Sequence, residues 1–205
     1  MEQSADAVSF SWIQVWTKII GRPTSARFRL LLNDPKASKR RAYVWVFLSA
    51  IVAYIIWLSE AMLVGVLGGS YLAYLVFAPG AALLAALVLT LYTGTAYFIA
   101  RGLGGTGTFS ALLYAVATYT APLLLIAAAL SVGGFIMHIA AFALLPALTI
   151  FSVIAIKAVY QFGWWAALAS MIGGGTLFIC GSGALIIFVS TIIFDTPVCA
   201  FLGGC

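Results

Sequence analysis

The chain has 205 residues and a formal net charge of +5; 64% of the residues are hydrophobic and only 7% are charged. A soluble domain carries about a quarter of its residues as charged side chains. This composition excludes a soluble globule and predicts an all-α integral membrane protein, for which the bilayer is the solvent.

The first element is a basic head, residues 1–41, which holds eight of the ten Lys and Arg residues. Within it, about residues 8–20 place their larger apolar side chains on one face when they are spaced at 100° per residue. This pattern is typical of an amphipathic interfacial helix on the inner leaflet. The predicted lipid-interface residues are Trp12, Trp16, Ile19, Lys39, Arg40 and Arg41. The basic residues act either as topology anchors or as a specific lipid or partner site.

Residues 42–195 form the predicted membrane domain, in which charges are sparse. A spanning helix needs about 20 apolar residues. We predict five transmembrane helices, at about residues 43–64, 81–100, 110–132, 134–158 and 163–194. The stretch before residue 81 is either an outer extension of the second helix or a separate interfacial piece. Residues 196–205 form a short tail on the outer side.

The few charges of the membrane domain set its orientation. Basic residues concentrate on the cytoplasmic side of membrane proteins. With the head inside, five crossings place Arg101 and Lys157 inside and Glu60 and Asp195 outside. The sequence therefore predicts a cytoplasmic N-terminus, an outer C-terminus and, as the location, a bacterial inner membrane.

A glycine-rich stretch, "RGLGGTGT", separates the second and third predicted helices and fits the pattern G-x-G-x-x-G. A dinucleotide site would need a strand before it and an acid about 20 residues later. Here a membrane helix precedes it, and no Asp or Glu lies between Glu60 and Asp195. We therefore predict a tight structural turn that binds no nucleotide, with Thr108 or Ser110 capping the next helix. Its residues are Arg101, Gly102, Gly104, Gly105 and Gly107.

Three stretches of the chain resemble the Yip domain family, named for Ypt/Rab-interacting proteins. The head segment "WTKIIGRPTSARFRLLL" is similar to the family's entry pattern, here Trp16, Pro23 and Phe28. The segment "GLGGTGTFSALLYAVATYTAPLLL" is similar to its glycine loop and following helix, with Tyr119, Ala121 and Pro122. The segment "KAVYQFGWWAALASMI" looks like its inner loop before the last helix.

The resemblance spans roughly residues 12–195 and implies five transmembrane helices with a cytosolic N-terminus. Eukaryotic members carry a longer head with an acidic, tyrosine-containing motif. This head has Glu2, Asp6 and Asp34 as its only acids and has no such motif. The chain therefore resembles the prokaryotic type, and Rab binding is not carried over to it.

Few residues of the membrane domain and tail have side chains that could bind a ligand, carry a proton or form a disulfide. His138 is the only histidine and is read as a hydrogen-bonded packing residue rather than a ligand, since no second ligand stands at helical spacing. Glu60 is interpreted as an interfacial residue at the end of the first span. The alternative is that it is one of two groups that form a proton path. Cys180 is read as a small apolar packing residue. Cys199 and Cys205 are predicted to form an outer-side disulfide, the alternatives being two free thiols or a bond to a partner.

These observations predict a non-enzymatic protein without cofactor, metal or nucleic-acid partner. The first hypothesis is a structural or organising membrane protein of the Yip type, acting through helix contacts with membrane lipid or with other integral membrane proteins. The second is an accessory subunit of a larger respiratory or photosynthetic complex. The third is a small transporter or channel.

Overall fold

The computed structural model describes residues 9–65, 67, 70–132 and 144–193. Over these ranges the chain is helical and contains no strand. Two short helices form the head. Helix α1, Trp12–Gly21, begins with a capping box in which the Ser11 and Gln14 side chains each accept the other residue's backbone N–H. Helix α2, Ser25–Leu32, begins at Thr24, whose side chain accepts a hydrogen bond from the Arg27 amide.

In the described ranges, six helices follow the head. Helix α3 is Lys39–Leu63, α5 is Ala78–Gly102 and α6 is Phe109–Ser131, with the five-residue α4, Tyr71–Leu75, between α3 and α5. Helix α7 is Leu144–Tyr160 and α8 is Trp164–Ile193. Segments Lys39–Leu63, Tyr71–Gly102 and Phe109–Ser131 are each long and apolar enough to cross a membrane.

Helices α7 and α8 form a bent pair. Segments Pro146–Tyr160 and Trp164–Cys180 pass the same length and hydropathy test only together, and they are bent by 118° at their junction. The described residues therefore contain three helices that could cross a membrane, or four if the bent pair makes one crossing. The prediction of an all-helical membrane protein is confirmed at this level.

The long helices run alternately up and down. Lys39, at the start of α3, has its ammonium group 5.7 Å from the ring centroid of Phe109, at the start of α6. The turn between α5 and α6 lies against the end of α7, since a Cβ added to Gly107 would come within 2.8 Å of the Tyr160 ring. Helix α8 begins four residues later, at Trp164. All five long helices thus have one end in common.

We call this shared end the basic end of the bundle. It carries Lys39 at the start of α3, Arg101 in the last turn of α5 and Lys157 in the last turn of α7. The opposite end of α3 carries Glu60. Arg101 and Lys157 lie in the last turns of their helices, where a cation is favourable, and Thr108 caps the start of α6 by accepting from the Ala111 amide.

Helices α5 and α8 cross closely through small residues. A Cβ built on Gly174 would lie 2.7 Å from the Cα of Ala96, so the two backbones touch at this point. One residue earlier, a Cβ on Gly173 would meet Ile99 at an ordinary 3.4 Å. Such contacts allow close helix packing where lipid gives no hydrophobic drive.

The head packs onto the bundle. Val15 and Ile19 of α1 have no exposed surface, and Phe28 and Leu31 of α2 are 1% exposed. Helix α1 contacts α6, and α2 contacts both α6 and α7. The predicted lipid-facing side of α1 is corrected here for Ile19, because its side chain is covered by protein and has no surface left for lipid.

Candidate functional site

The head meets the bundle at an ion pair between Asp34 and Arg41. The Arg41 Nη1 lies 3.0 Å from the Asp34 Oδ2, and the side chains are 9% and 0% exposed, respectively. Asp34 follows α2, and Arg41 lies in the first turn of α3. A buried pair is costly to break from one side, since the remaining charge stays desolvated, at about 3–5 kcal/mol. The pair therefore fixes the head relative to the first long helix.

Further hydrogen bonds gather around this ion pair. The Arg41 Nη2 donates to the carbonyl oxygen of Phe10 at 2.7 Å, and the Phe10 amide donates to Asp34 at 3.3 Å. The Lys36 amide donates to the other Asp34 oxygen at 2.9 Å. The Arg41 Nη1 also approaches the Tyr114 hydroxyl of α6 at 3.5 Å. The Asp34 carboxylate and the Arg41 guanidinium thus join four parts of the chain. These are helices α3 and α6, the segment that precedes α1, and the loop that follows α2.

An aromatic cluster lies directly beside the ion pair. The Arg41 guanidinium stacks 4.7 Å from the ring centroid of Trp45, which is wholly buried. Trp12 and Trp16 of α1 meet Trp45 edge to face, each at 6.0 Å between centroids, and Tyr114 lies at 5.5 Å. We call Asp34, Arg41, Trp45 and Tyr114 the head–bundle junction.

The indole groups of Trp16 and Trp45 act through packing. The Nε1 atoms of Trp16 and Trp45 are buried and have no hydrogen-bond acceptor among the described atoms. Their contribution comes from ring area and from the cation–π contact, which is worth up to about 2 kcal/mol when it is desolvated. A cavity of about 520 Å³ opens beside the junction, lined by Phe10, Ser11, Trp12, Ile13, Lys36 and Arg41.

A second contact line holds α2 to the bundle. Phe28 meets the ring of Tyr119 edge to face at 6.3 Å, and Tyr119 stacks on Phe151 of α7 at 5.5 Å. The Tyr119 hydroxyl is hydrogen-bonded to the Ser152 hydroxyl at 2.8 Å, and Ser152 also donates to the carbonyl of Leu148. These hydroxyl groups satisfy one another and lock α6 to α7.

The glycine turn lies where the sequence places it, between α5 and α6. Gly104 has φ +86°, a value that favours glycine, and Gly105 is buried under Tyr160 and Phe162. Arg101 donates to the carbonyl oxygen of Gly105 at 3.2 Å, so it closes the turn in addition to any anchoring at the interface. A Cβ on Gly102 would meet no described atom within 4 Å, so the packing at this position leaves room for a side chain.

The other sequence-predicted residues do not form one site. Trp12 is 40% exposed, Trp16 is partly buried, and Lys39 and Arg40 are exposed. Cys180 is exposed on α8, whereas the sequence suggested a packing role. His138, Cys199 and Cys205 lie outside the described residues, so the histidine and disulfide predictions stay predictions.

Sequence reasoning missed two residues of this region. Asp34 was counted only as one of three acids in a basic head; its position just after α2, seven residues before Arg41, was the available signal. Gln161, between α7 and α8, has φ +57°, which side-chain-bearing residues rarely adopt. No sequence pattern marks it, since glycine is the usual residue where a helix ends in this conformation.

Comparison of the chain with protein-family models, with curated proteins and with solved structures gives no match.

Proposed function

We propose that the chain is a non-enzymatic, multi-pass membrane protein of the prokaryotic Yip type. It organises the membrane through helix contacts, with its basic head docked as a rigid platform on the cytoplasmic end of a five-helix bundle. The observation that carries the proposal is the head–bundle junction, because a buried ion pair and the edge-to-face contacts of Trp12 and Trp16 with Trp45 hold the head against the bundle. A head docked in this way presents a fixed surface to partners.

Five crossings of a bacterial inner membrane are compatible with the bend between α7 and α8. A bend of 118° leaves the two helices about 60° from antiparallel, so each would tilt by about 30°, within the range of membrane helices. Helix α8 has 30 residues and is about 45 Å long at 1.5 Å per residue, enough to cross while tilted. The alternating helix directions favour the same interpretation.

The positions of the basic residues favour a cytoplasmic N-terminus. Lys39, Arg101 and Lys157 share one end of the bundle, as the positive-inside rule requires of an inner face. The opposite end would then lie outside, together with the C-terminal tail.

The head belongs at the depth of the lipid head groups in this proposal. Phe28 packs on Tyr119, whose Cα lies about 15 Å along α6 from Phe109. Helical side chains point back toward the N-terminus, so the contact lies nearer the inner surface than that distance. Trp12, 40% exposed, and Ile13, 71% exposed, then face the lipid boundary, where interfacial helices sit. Membrane lipid and other integral membrane proteins are the proposed partners.

Crosslinking in native membranes followed by purification in mild detergent tests this proposal. The organising role predicts several membrane proteins crosslinked through the head, and fewer of them when Arg41→Gln loosens the junction. A single stoichiometric complex that survives purification without crosslinking would instead identify an accessory subunit. Solute flux into liposomes that contain the purified chain would identify a transporter or channel, and either result would overturn the organising role.

A further inference from the structure

We propose that the wedge between α7 and α8 binds one anionic phospholipid, with an acyl chain in the wedge and the phosphodiester at Lys157. The inference deepens the proposed function, and it rests on the proposed placement of α7 and α8 in the membrane. The occupant is a lipid of the surrounding inner leaflet.

The wedge is built by the bend itself. Because the bend of 118° leaves the two helices about 60° from antiparallel, they cannot pack along their full length, and a cavity of about 360 Å³ remains near their junction. Its walls are apolar apart from one threonine: Thr149, Ile150, Val153, Trp164, Trp165 and Leu168. Ile150 is 55% exposed and Trp165 is 84% exposed, so the wedge opens outward from the bundle. An acyl chain matches walls of this kind, because water would leave them without polar partners.

A cation stands at the rim of the wedge. The Lys157 ammonium lies 3.9 Å from the ring centroid of Trp164, which is itself a wall residue. In the ranges that the structure describes, no carboxylate forms an ion pair with Lys157. It is also the only charged residue of α7 and α8. Its positive charge therefore selects an anionic head group, as basic pockets between helices on the cytoplasmic side do.

The rim of the wedge lies at the depth in the membrane at which a lipid head group is expected. Trp164 and Trp165 begin α8 at the basic end, and amphipathic indole rings collect at the boundary between head groups and acyl chains. Arg101, at the same end, instead donates to the carbonyl of Gly105 inside its own turn. The charge and the apolar walls are thus adjacent at Lys157 and not at Arg101, which makes Arg101 a matched control.

Native mass spectrometry of the full chain, released from nanodiscs of equal phosphatidylglycerol and phosphatidylcholine, tests the inference. We expect the wild type to retain one phosphatidylglycerol in preference to phosphatidylcholine. Lys157→Gln should lower that preference about five-fold, the effect of one surface cation near anionic lipid. Lys157→Arg should preserve the preference, and so should Arg101→Gln. Ile150→Trp, which fills the wedge, should lower retention of both lipids, whereas Ile172→Trp, at an exposed position outside the wedge, should not.

Three outcomes would overturn the inference: equal retention of the two lipids by the wild type, an unchanged preference in Lys157→Gln, or an equal fall in Arg101→Gln. Competition by added glycerol phosphate would also contradict it, since the acyl chain would then be dispensable. Alkaline extraction of the same membranes separates this failure from failure of the proposed function. A chain released into the soluble fraction was never integral, whereas a retained chain without lipid preference refutes the wedge alone.

Discussion

Gly105 lies against Tyr160 so closely that a Cβ built on the glycine would stand 2.5 Å from the Cδ1 of the tyrosine. The same Cβ would lie 2.9 Å from the carbonyl oxygen of Ala100, which is backbone and cannot turn away. The turn between α5 and α6 is therefore pressed onto the end of α7. Helices that are far apart in sequence meet here through the absence of a single methyl group.

Replacement of Gly105 should destabilise the protein, and replacement of Gly102 should not. Gly105→Ala forces a methyl group into occupied space, and overpacking of this kind costs about 1–3 kcal/mol. We expect a lower midpoint of thermal unfolding in detergent. Gly102→Ala, in the last turn of α5, meets no described atom within 4 Å and should leave the midpoint equal or higher. Equal midpoints for the two variants would show that the turn does not pack on α7.

The crossing of α5 and α8 offers a second pair of glycine variants. Gly174→Ala would place a methyl group 2.7 Å from the Ala96 Cα, so α8 must move away from α5. Gly175→Ala, next along the same helix, meets no described atom within 4 Å and gains helix propensity of about 1 kcal/mol. We expect the unfolding midpoint to fall for the first variant and to hold or rise for the second. The reverse order would place another face of α8 against α5.

A substitution at Gln161 should remove backbone strain between α7 and α8. Gln161 has φ +57°, and a side chain in this left-handed region costs about 1–2 kcal/mol. Gln161→Gly removes that cost but adds freedom to the unfolded chain, so we expect a net gain of up to about 1 kcal/mol. Gln161→Val, which is β-branched, should lower stability. Unfolding midpoints of the two variants decide, and a destabilised Gln161→Gly would mean that the side chain makes a needed contact.

Local signals in the sequence were enough to predict the turn and the helices beside it. Thr108 caps α6 as expected, because a side-chain oxygen before an apolar helix satisfies a free amide. Gly104 and Gly105 belong to the predicted turn; Gly104 has a positive φ, and Gly105 makes a contact that leaves no room for a side chain. The apolar runs predicted the long helices α3, α5, α6 and α8 for the same reason, because length and hydropathy are properties of a single segment.

Contacts between segments that are distant in the sequence could not be predicted from local patterns. The apolar face of α1 was assigned to lipid, and Ile19 is buried by protein, since periodicity identifies a buried face but not what covers it. The Asp34–Arg41 pair needs the fold of the loop after α2 to become visible. The wedge beside Lys157 arises from the 118° bend, and no residue type in the sequence predicts a bend of that size.

The head–bundle junction is the central claim, and tryptic cleavage of the head in intact, inside-out membrane vesicles tests it most directly. Cleavage after Lys18 or Arg27 requires α1 and α2 to leave the bundle, because Ile19 and Phe28, the residues that follow these two sites, are buried against it. Arg41→Gln leaves Asp34 buried without its partner, at a cost of about 3–5 kcal/mol, so cleavage should become at least about 100-fold faster. Arg40→Gln, which removes an exposed neighbouring arginine and likewise one tryptic site, should cleave at the wild-type rate. Equal rates for wild type, Arg40→Gln and Arg41→Gln would show that the ion pair does not hold the head, and would contradict the account.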